Sequence, residues 1–148
     1  MGNKGLPQGW VSTKLESITS IRSGIGFPQK YQGKTKGDIP FFKVKDISQN
    51  YLKNEKILSL AENYISHQDL KELKGQLFSK GTTVFAKIGE AIRLNRRAIF
   101  LNDGIVDNNV MGVKPICEID DFFIFYFLST QKFGELSRST TVPSIRGS

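Results

Sequence analysis

The stretch Thr82-Thr83-Val84-Phe85-Ala86-Lys87-Ile88, the connection GEAIRL (89–94) and the stretch Asn95-Arg96-Arg97-Ala98-Ile99-Phe100-Leu101 decide the fold. Both flanks are rich in β-branched and aromatic residues, which suit a pleated, buried surface, so residues 82–88 read as a central strand and residues 95–101 as another. In the second strand Ala98 and Phe100 oppose Ile99 and Leu101. What joins the strands is unusual: Lys87, Arg93, Arg96 and Arg97 crowd around Gly89 and Asn95. Arginine forks match phosphate oxygens and the acceptor edge of guanine, and asparagine matches the mixed edge of adenine. Arg96 and Arg97 point to opposite sides of an extended chain, so one is expected to pair internally, with Glu90 as the nearest acid.

Downstream, Asn102-Asp103-Gly104 is a turn signal, and residues 106–113 read as a further strand interrupted by Gly112. Asp120 or Asp121 caps a helix running to about Lys132, whose run from Phe122 to Leu128 has almost no polar face and predicts deep enclosure. The last residues, Thr140 to Ser148, read as extended. Upstream, Ser66 with Asp69 three positions later predicts a capped helix over 66–74, with Gly75 placed to end it. Residues 39–47 read as a strand with Phe42, Val44 and Asp46 on one face and Phe41, Lys43 and Lys45 on the other. Residues 29–37 are polar and read as flexible. Leu15 to Ile21 suits a short helix or a strand, and Trp10, delivered by the turn at Pro7-Gln8-Gly9, is expected to be packed.

The formal charge of +7 is localised. Lys30, Lys34, Lys36, Lys43 and Lys45 outweigh Asp38 by four in residues 30–45, and the four cations of residues 87–97 outweigh Glu90 by three. The rest of the chain is neutral, with 12 basic and 12 acidic residues. A concentrated basic patch favours a polyanion partner. A membrane surface is the competing polyanion, but no basic amphipathic helix accompanies the charge.

The length of 148 residues and 39% hydrophobic content suit one folded domain, residues 1–148, with a core. A single cysteine, Cys117, and a single histidine, His67, leave neither an internal disulfide nor a Cys/His zinc set, and His67 reads as a surface residue. No segment resembles a signal peptide or a membrane span, so the expected setting is cytoplasmic. Glu72-Leu73-Lys74 has the spacing of a metal-dependent nuclease motif but falls in a predicted helix, and no glycine-rich methyl-donor loop or Asn/Asp-Pro-Pro-aromatic motif is present. No serine, cysteine or lysine has an evident activating partner, so chemistry is expected elsewhere, with no cofactor or metal.

Six pieces occur in order: LPQGW (6–10), SGIGFP (23–28), GDIPFFKVKDI (37–47), FAKIGEAIRLNRRAI (85–99), DNNVMGVKP (107–115) and PSIR (143–146). Together they resemble a target-recognition domain of the specificity subunit of type I restriction-modification systems, over nearly the whole chain. The resemblance implies an α+β domain with a mixed, mostly antiparallel sheet and a few packed helices. In that family the specificity subunit carries two such domains joined by long paired helices, and each domain reads one half of a bipartite site. Methylation and cleavage belong to separate modification (methyltransferase) and restriction subunits. The implied partners are therefore double-stranded DNA, the methyltransferase subunits and, through them, the restriction subunits, with no membrane. The sequence closes on PSIRGS, ahead of the long helix that follows such a domain, so docking to the methyltransferase is not expected of these residues alone.

On this resemblance the DNA-contacting candidates are Ser23, Lys34, Lys36, Lys43, Lys45, Lys87, Arg93, Asn95, Arg96 and Arg97. Lysines are expected to hold the backbone, while one arginine and Asn95 enter the major groove. Gly89 is expected to supply backbone conformation. Asn108 and Asn109 are able to read bases, but an asparagine pair beside a glycine-containing strand favours the structural reading, turns and buried backbone. The alternatives are a protein-interaction module or another basic nucleic-acid-binding domain.

Overall fold

The computed structural model describes Gly5 and residues 7–136. Leu6, the extended reading of residues 140–148 and the PSIR piece lie outside the described residues.

The central strand is where the sequence places it. β5 (Thr83–Ala86) lies between β8 (Val110–Pro115) and β6 (Ala98–Phe100), both antiparallel to it, in a five-stranded sheet. β1 (Thr19–Ser23) closes one edge against β8, and β3 (Ile57–Leu58) runs parallel to β6 at the other, giving the order β1-β8-β5-β6-β3. A second sheet has β2 (Ile39–Phe42) in the middle, antiparallel to β4 (Asn63–Ile65) and parallel to β7 (Ile105–Val106). Four antiparallel and two parallel pairings make an α+β fold with mixed, mostly antiparallel strands, as expected, divided between two sheets.

Alternation along single strands explains the layering. In β5, Val84 points into a core with Phe42, Ile47, Phe78, Ala98, Phe100, Val106 and Val110, while Phe85 points through the sheet to Ile92, Met111, Val113, Ile124 and Leu128. In β2, Phe42 belongs to the first of these cores and Phe41 to a third, with Tyr31, Ile39, Ile65 and Ile105. Each such side chain contributes about 1.5–3 kcal/mol when fully buried. Phe41 and Phe42 are almost completely inaccessible, so β2 is the layer that ties the two sheets together.

The strand expected over residues 39–47 stops at Phe42. Asp46 accepts the Lys43 N–H at 2.7 Å, half of a capping box, and α2 (Val44–Leu52) begins there. Val44 and Ile47 then share a helical face against the first core, a spacing of three that serves a helix and not a strand. Lys43 and Lys45 therefore do not share a strand face. The capped helix reading at Ser66 is realised in α3 (His67–Glu72), where Ser66 Oγ accepts the Asp69 N–H at 3.0 Å and the Asp69 carboxylate accepts the Ser66 N–H at 3.1 Å. Leu15 to Ile21 is both helix and strand: α1 (Leu15–Ile18) runs directly into β1.

Other expectations are corrected. Residues 29–37, read as flexible, contain a 3-10 turn whose Tyr31 is buried and donates its hydroxyl to Glu72 at 2.8 Å. Trp10 stands 64% exposed beside its turn. α4 (Asp121–Ser129), capped by Asp120 through the Phe122 and Phe123 N–H groups, buries Ile124, Phe125 and Leu128 but leaves Phe122, Phe123, Tyr126 and Phe127 exposed. It is covered on one side only. A short α5 (Phe133–Leu136) follows. The strand expected over residues 106–113 is two strands in different sheets, because the chain crosses from β7 to β8 at Asp107-Asn108-Asn109. None of the described helices is long and apolar enough to cross a membrane.

Candidate nucleic-acid interface

The crossing between the sheets is held from several directions. Asp107 donates its N–H to the Phe42 carbonyl at 3.1 Å, its side chain accepts the Asn109 N–H at 2.9 Å, and its carbonyl accepts the Val110 N–H at 3.1 Å. Lys87 donates its N–H to the Asn109 carbonyl at 3.0 Å, and Gly24 donates to Val110 at 2.9 Å. Residue 24 has to be glycine, since a Cβ there would lie 2.0 Å from the Asp107 carbonyl oxygen. Sequence elements far apart in the chain thus converge on one three-residue turn.

Around that turn opens a cleft of about 430 Å³ lined by Phe27, Gln32, Lys43, Val44, Lys45, Asp107, Asn108 and Asn109. Phe27 is stacked on Phe41 with ring centroids 3.6 Å apart, so this wall is fixed to the core. Lys43 Nζ donates to Gln32 Oε1 and lies 5.6 Å from the Phe27 ring centroid. Lys45 Nζ is 3.4 Å from Glu62, an exposed pair of small energetic weight. Two acids sit deeper. Burial pushes the Asp46 carboxyl above its ordinary range, against the pull of the Lys43 and Glu62 N–H groups. Burial likewise raises Asp107, opposed by the Asn109 N–H and the Lys43 charge. The cleft thus sets lysines and amides beside the poorly solvated Asp107 carboxylate.

Among the expected contact residues, the structure brings Lys43 and Lys45 to this cleft and ties Lys87 to it through the Asn109 carbonyl. Ser23 ends β1 opposite Met111, one residue before Gly24, and is exposed. Lys34 and Lys36 lie on the exposed stretch beyond the cleft residue Gln32. There the Lys34 carbonyl accepts the Tyr64 N–H, and Lys34 Nζ is 3.8 Å from Asp69.

The arginine group behaves differently. Gly89, at φ 78°, supplies the left-handed backbone that starts the connection, as expected of it. Arg93, on the far side of that turn, pairs with Glu90. Arg96 lies over the Tyr51 ring of α2, 5.4 Å from its centroid. Arg97 is 5% exposed, between the Phe85 and Phe133 rings, and donates to the Leu128, Arg96 and Gln131 carbonyls and to Asn95 Oδ1. Burial lowers its pKa to about 10. One of the paired arginines does turn inward, but its partners are carbonyls and an amide, and Glu90 takes Arg93 instead. Arg97 is thus turned into the fold, and half-buried Asn95 accepts from it and from the Phe133 N–H and donates to the Ser129 carbonyl, an arrangement that serves the fold and not the groove reading expected of the pair.

Residues 7–148 match the family described as the type I restriction modification DNA specificity domain. The chain belongs to that family. It is similar to the type I restriction enzyme MjaIX specificity subunit of Methanocaldococcus jannaschii, 26% identical over 91 residues, which is 62% of this chain and 20% of that protein. A chain from a structural study of complex assembly and conformational transition of the type I R-M system superposes with a TM-score of 0.70 at 16% identity, over 96% of this chain and 32% of the other. The HsdS subunit from Thermoanaerobacter tengcongensis gives a TM-score of 0.60 at 16% identity, over 84% of this chain and 28% of the other. This specificity domain thus spans about a fifth of its curated relative and about a third of the solved chains.

Sequence reasoning missed Phe27, Gln32, Asp107, Asn108 and Asn109 as members of one cleft. The signal is present in SGIGFP and DNNVMGVKP, but nothing in the linear sequence places them beside Lys43.

Proposed function

We propose that this specificity domain binds double-stranded DNA and reads one half of a bipartite target, without catalysing a reaction itself. Supporting this reading above all is one observation: Lys43 and Lys45, at the start of α2, line a cleft at a rigid turn carrying two uncharged amides, and the backbone of Lys87, just after β5, is bonded to the same turn. Lysines there suit phosphate oxygens, which fix register, and amides suit base edges, which carry sequence information. Residues 1–148 form one target-recognition domain in this account, and methylation and cleavage fall to modification and restriction subunits contacted by the longer protein. The family membership and the similarity to specificity subunits support that division.

The test is a titration of fluorescent duplexes with the chain and with Lys45→Ala and Lys87→Ala variants. Each loss of a phosphate contact is expected to weaken all duplexes alike and to reduce the steepness of the salt dependence by about one. Unchanged affinity in both variants would place the interface elsewhere. A second reading, a protein-docking module, has an observation of its own in the four exposed aromatic residues of α4. It predicts a main affinity that salt barely changes and that DNA does not compete for.

A further inference from the structure

We propose that Asn108 is a specificity-determining residue that reads an adenine edge in the major groove, an inference that rests on the DNA-reading role above. Asn108 is exposed at the apex of the turn between β7 and β8, and its side chain makes no hydrogen bond to the rest of the described protein. Its neighbour Asn109 is half-buried, with its N–H given to Asp107 and its carbonyl taken by Lys87. The apex side chain is thus free while the backbone beneath it is fixed by Phe42, Lys87 and Asp107. A reader needs that combination, because each hydrogen bond then forms without first ordering a loop. A primary amide can accept from adenine N6–H and donate to N7 at once, a pattern that no other base pair offers in that orientation. Lys43 and Lys45 line the same cleft and supply charge for the flanking phosphates, so the amide need not contribute to general affinity.

The experiment is selection of bound duplexes from a randomised library by the full 148-residue chain, its Asn108→Ala variant and its Lys45→Ala variant. The unaltered chain is expected to enrich a half-site containing adenine at one position. Asn108→Ala loses preference at that position by about tenfold or more and keeps the others. Lys45→Ala keeps the whole motif and weakens it uniformly. Placing 7-deazaadenine at that position removes N7 and keeps N6–H, so it should weaken the unaltered chain and leave Asn108→Ala indifferent. An Asn108→Ala motif identical to the original, or weakened equally at every position, overturns the inference while the DNA-reading role stands. If the unaltered chain and both variants retain no duplex at all, the DNA-reading role fails first and the inference with it.

Discussion

At the scale of single residues, the most instructive side chain is Arg97, a buried cation with no carboxylate partner among the described residues. Carbonyls of Leu128, Gln131 and Arg96 surround it with partial negative charge, and the faces of Phe85 and Phe133 add to it. Arg97→Ala would orphan those carbonyls and empty the space between the rings. Urea unfolding should show a loss of about 2–4 kcal/mol, with DNA affinity per folded molecule unchanged. A base-reading role would give the reverse. Asp107 offers a pH test. Its folded pKa lies above the ordinary carboxylate value, so between the two values the native state holds more protons than the unfolded state. This contribution to stability therefore rises as pH falls through the folded pKa and levels off below the unfolded one. Asp107→Asn keeps an oxygen to accept the Asn109 N–H and removes the ionisation, so the variant's stability should vary less over the acid range. A pH series of denaturant midpoints that superimposes on the original would contradict the assignment.

At the scale of elements, α4 carries the sharpest contrast. Phe125 is 3% exposed and Phe123 is 57% exposed, two residues apart on one helix. Phe125→Ala should cost about 3–5 kcal/mol, whereas Phe123→Ser should cost well under about 1 kcal/mol in thermal or urea melts. Similar losses would mean that α4 is covered on both sides. The run from Phe122 to Leu128 states that the helix is apolar, but not how much of it this chain covers. Enclosure is a property of neighbours, which composition cannot reveal. The same limit explains α2. Phe42, Val44 and Asp46 alternate like a strand, yet Asp46 at the third helical position captures the Lys43 N–H, and Val44 with Ile47 fits the helical period equally well. Where capping chemistry was unambiguous, as at Ser66 with Asp69, the sequence reading and the structure agree. β5 and β6 were legible for a similar reason, because β-branched and aromatic residues packed on both faces leave little alternative.

At the scale of the whole molecule, the two sheets share β2's layer and are joined by the Asp107-Asn108-Asn109 crossing, where Lys43 and Lys45 line the cleft and the Lys87 backbone is bonded to Asn109. The basic charge counted in two sequence windows is thus partly one feature in space. Of the rest of the second window, Arg97 went into internal structure, Arg96 lies over Tyr51, and Arg93 stays exposed in a surface pair with Glu90. Charge counting points to the proposed site to within a few elements, but only the tertiary structure separates the exposed cations from Arg97, which is buried. The central claim is that the outward group grips a polyanion. Its most direct test is the salt dependence of duplex binding by the chain and by a Lys43→Ala/Lys45→Ala/Lys87→Ala triple variant. Three phosphate contacts should give a logarithmic slope near three, at roughly 0.9 per neutralised phosphate, and the triple variant should lose most of it. A slope near zero for the unaltered chain, or one that the triple variant leaves intact, would contradict the account.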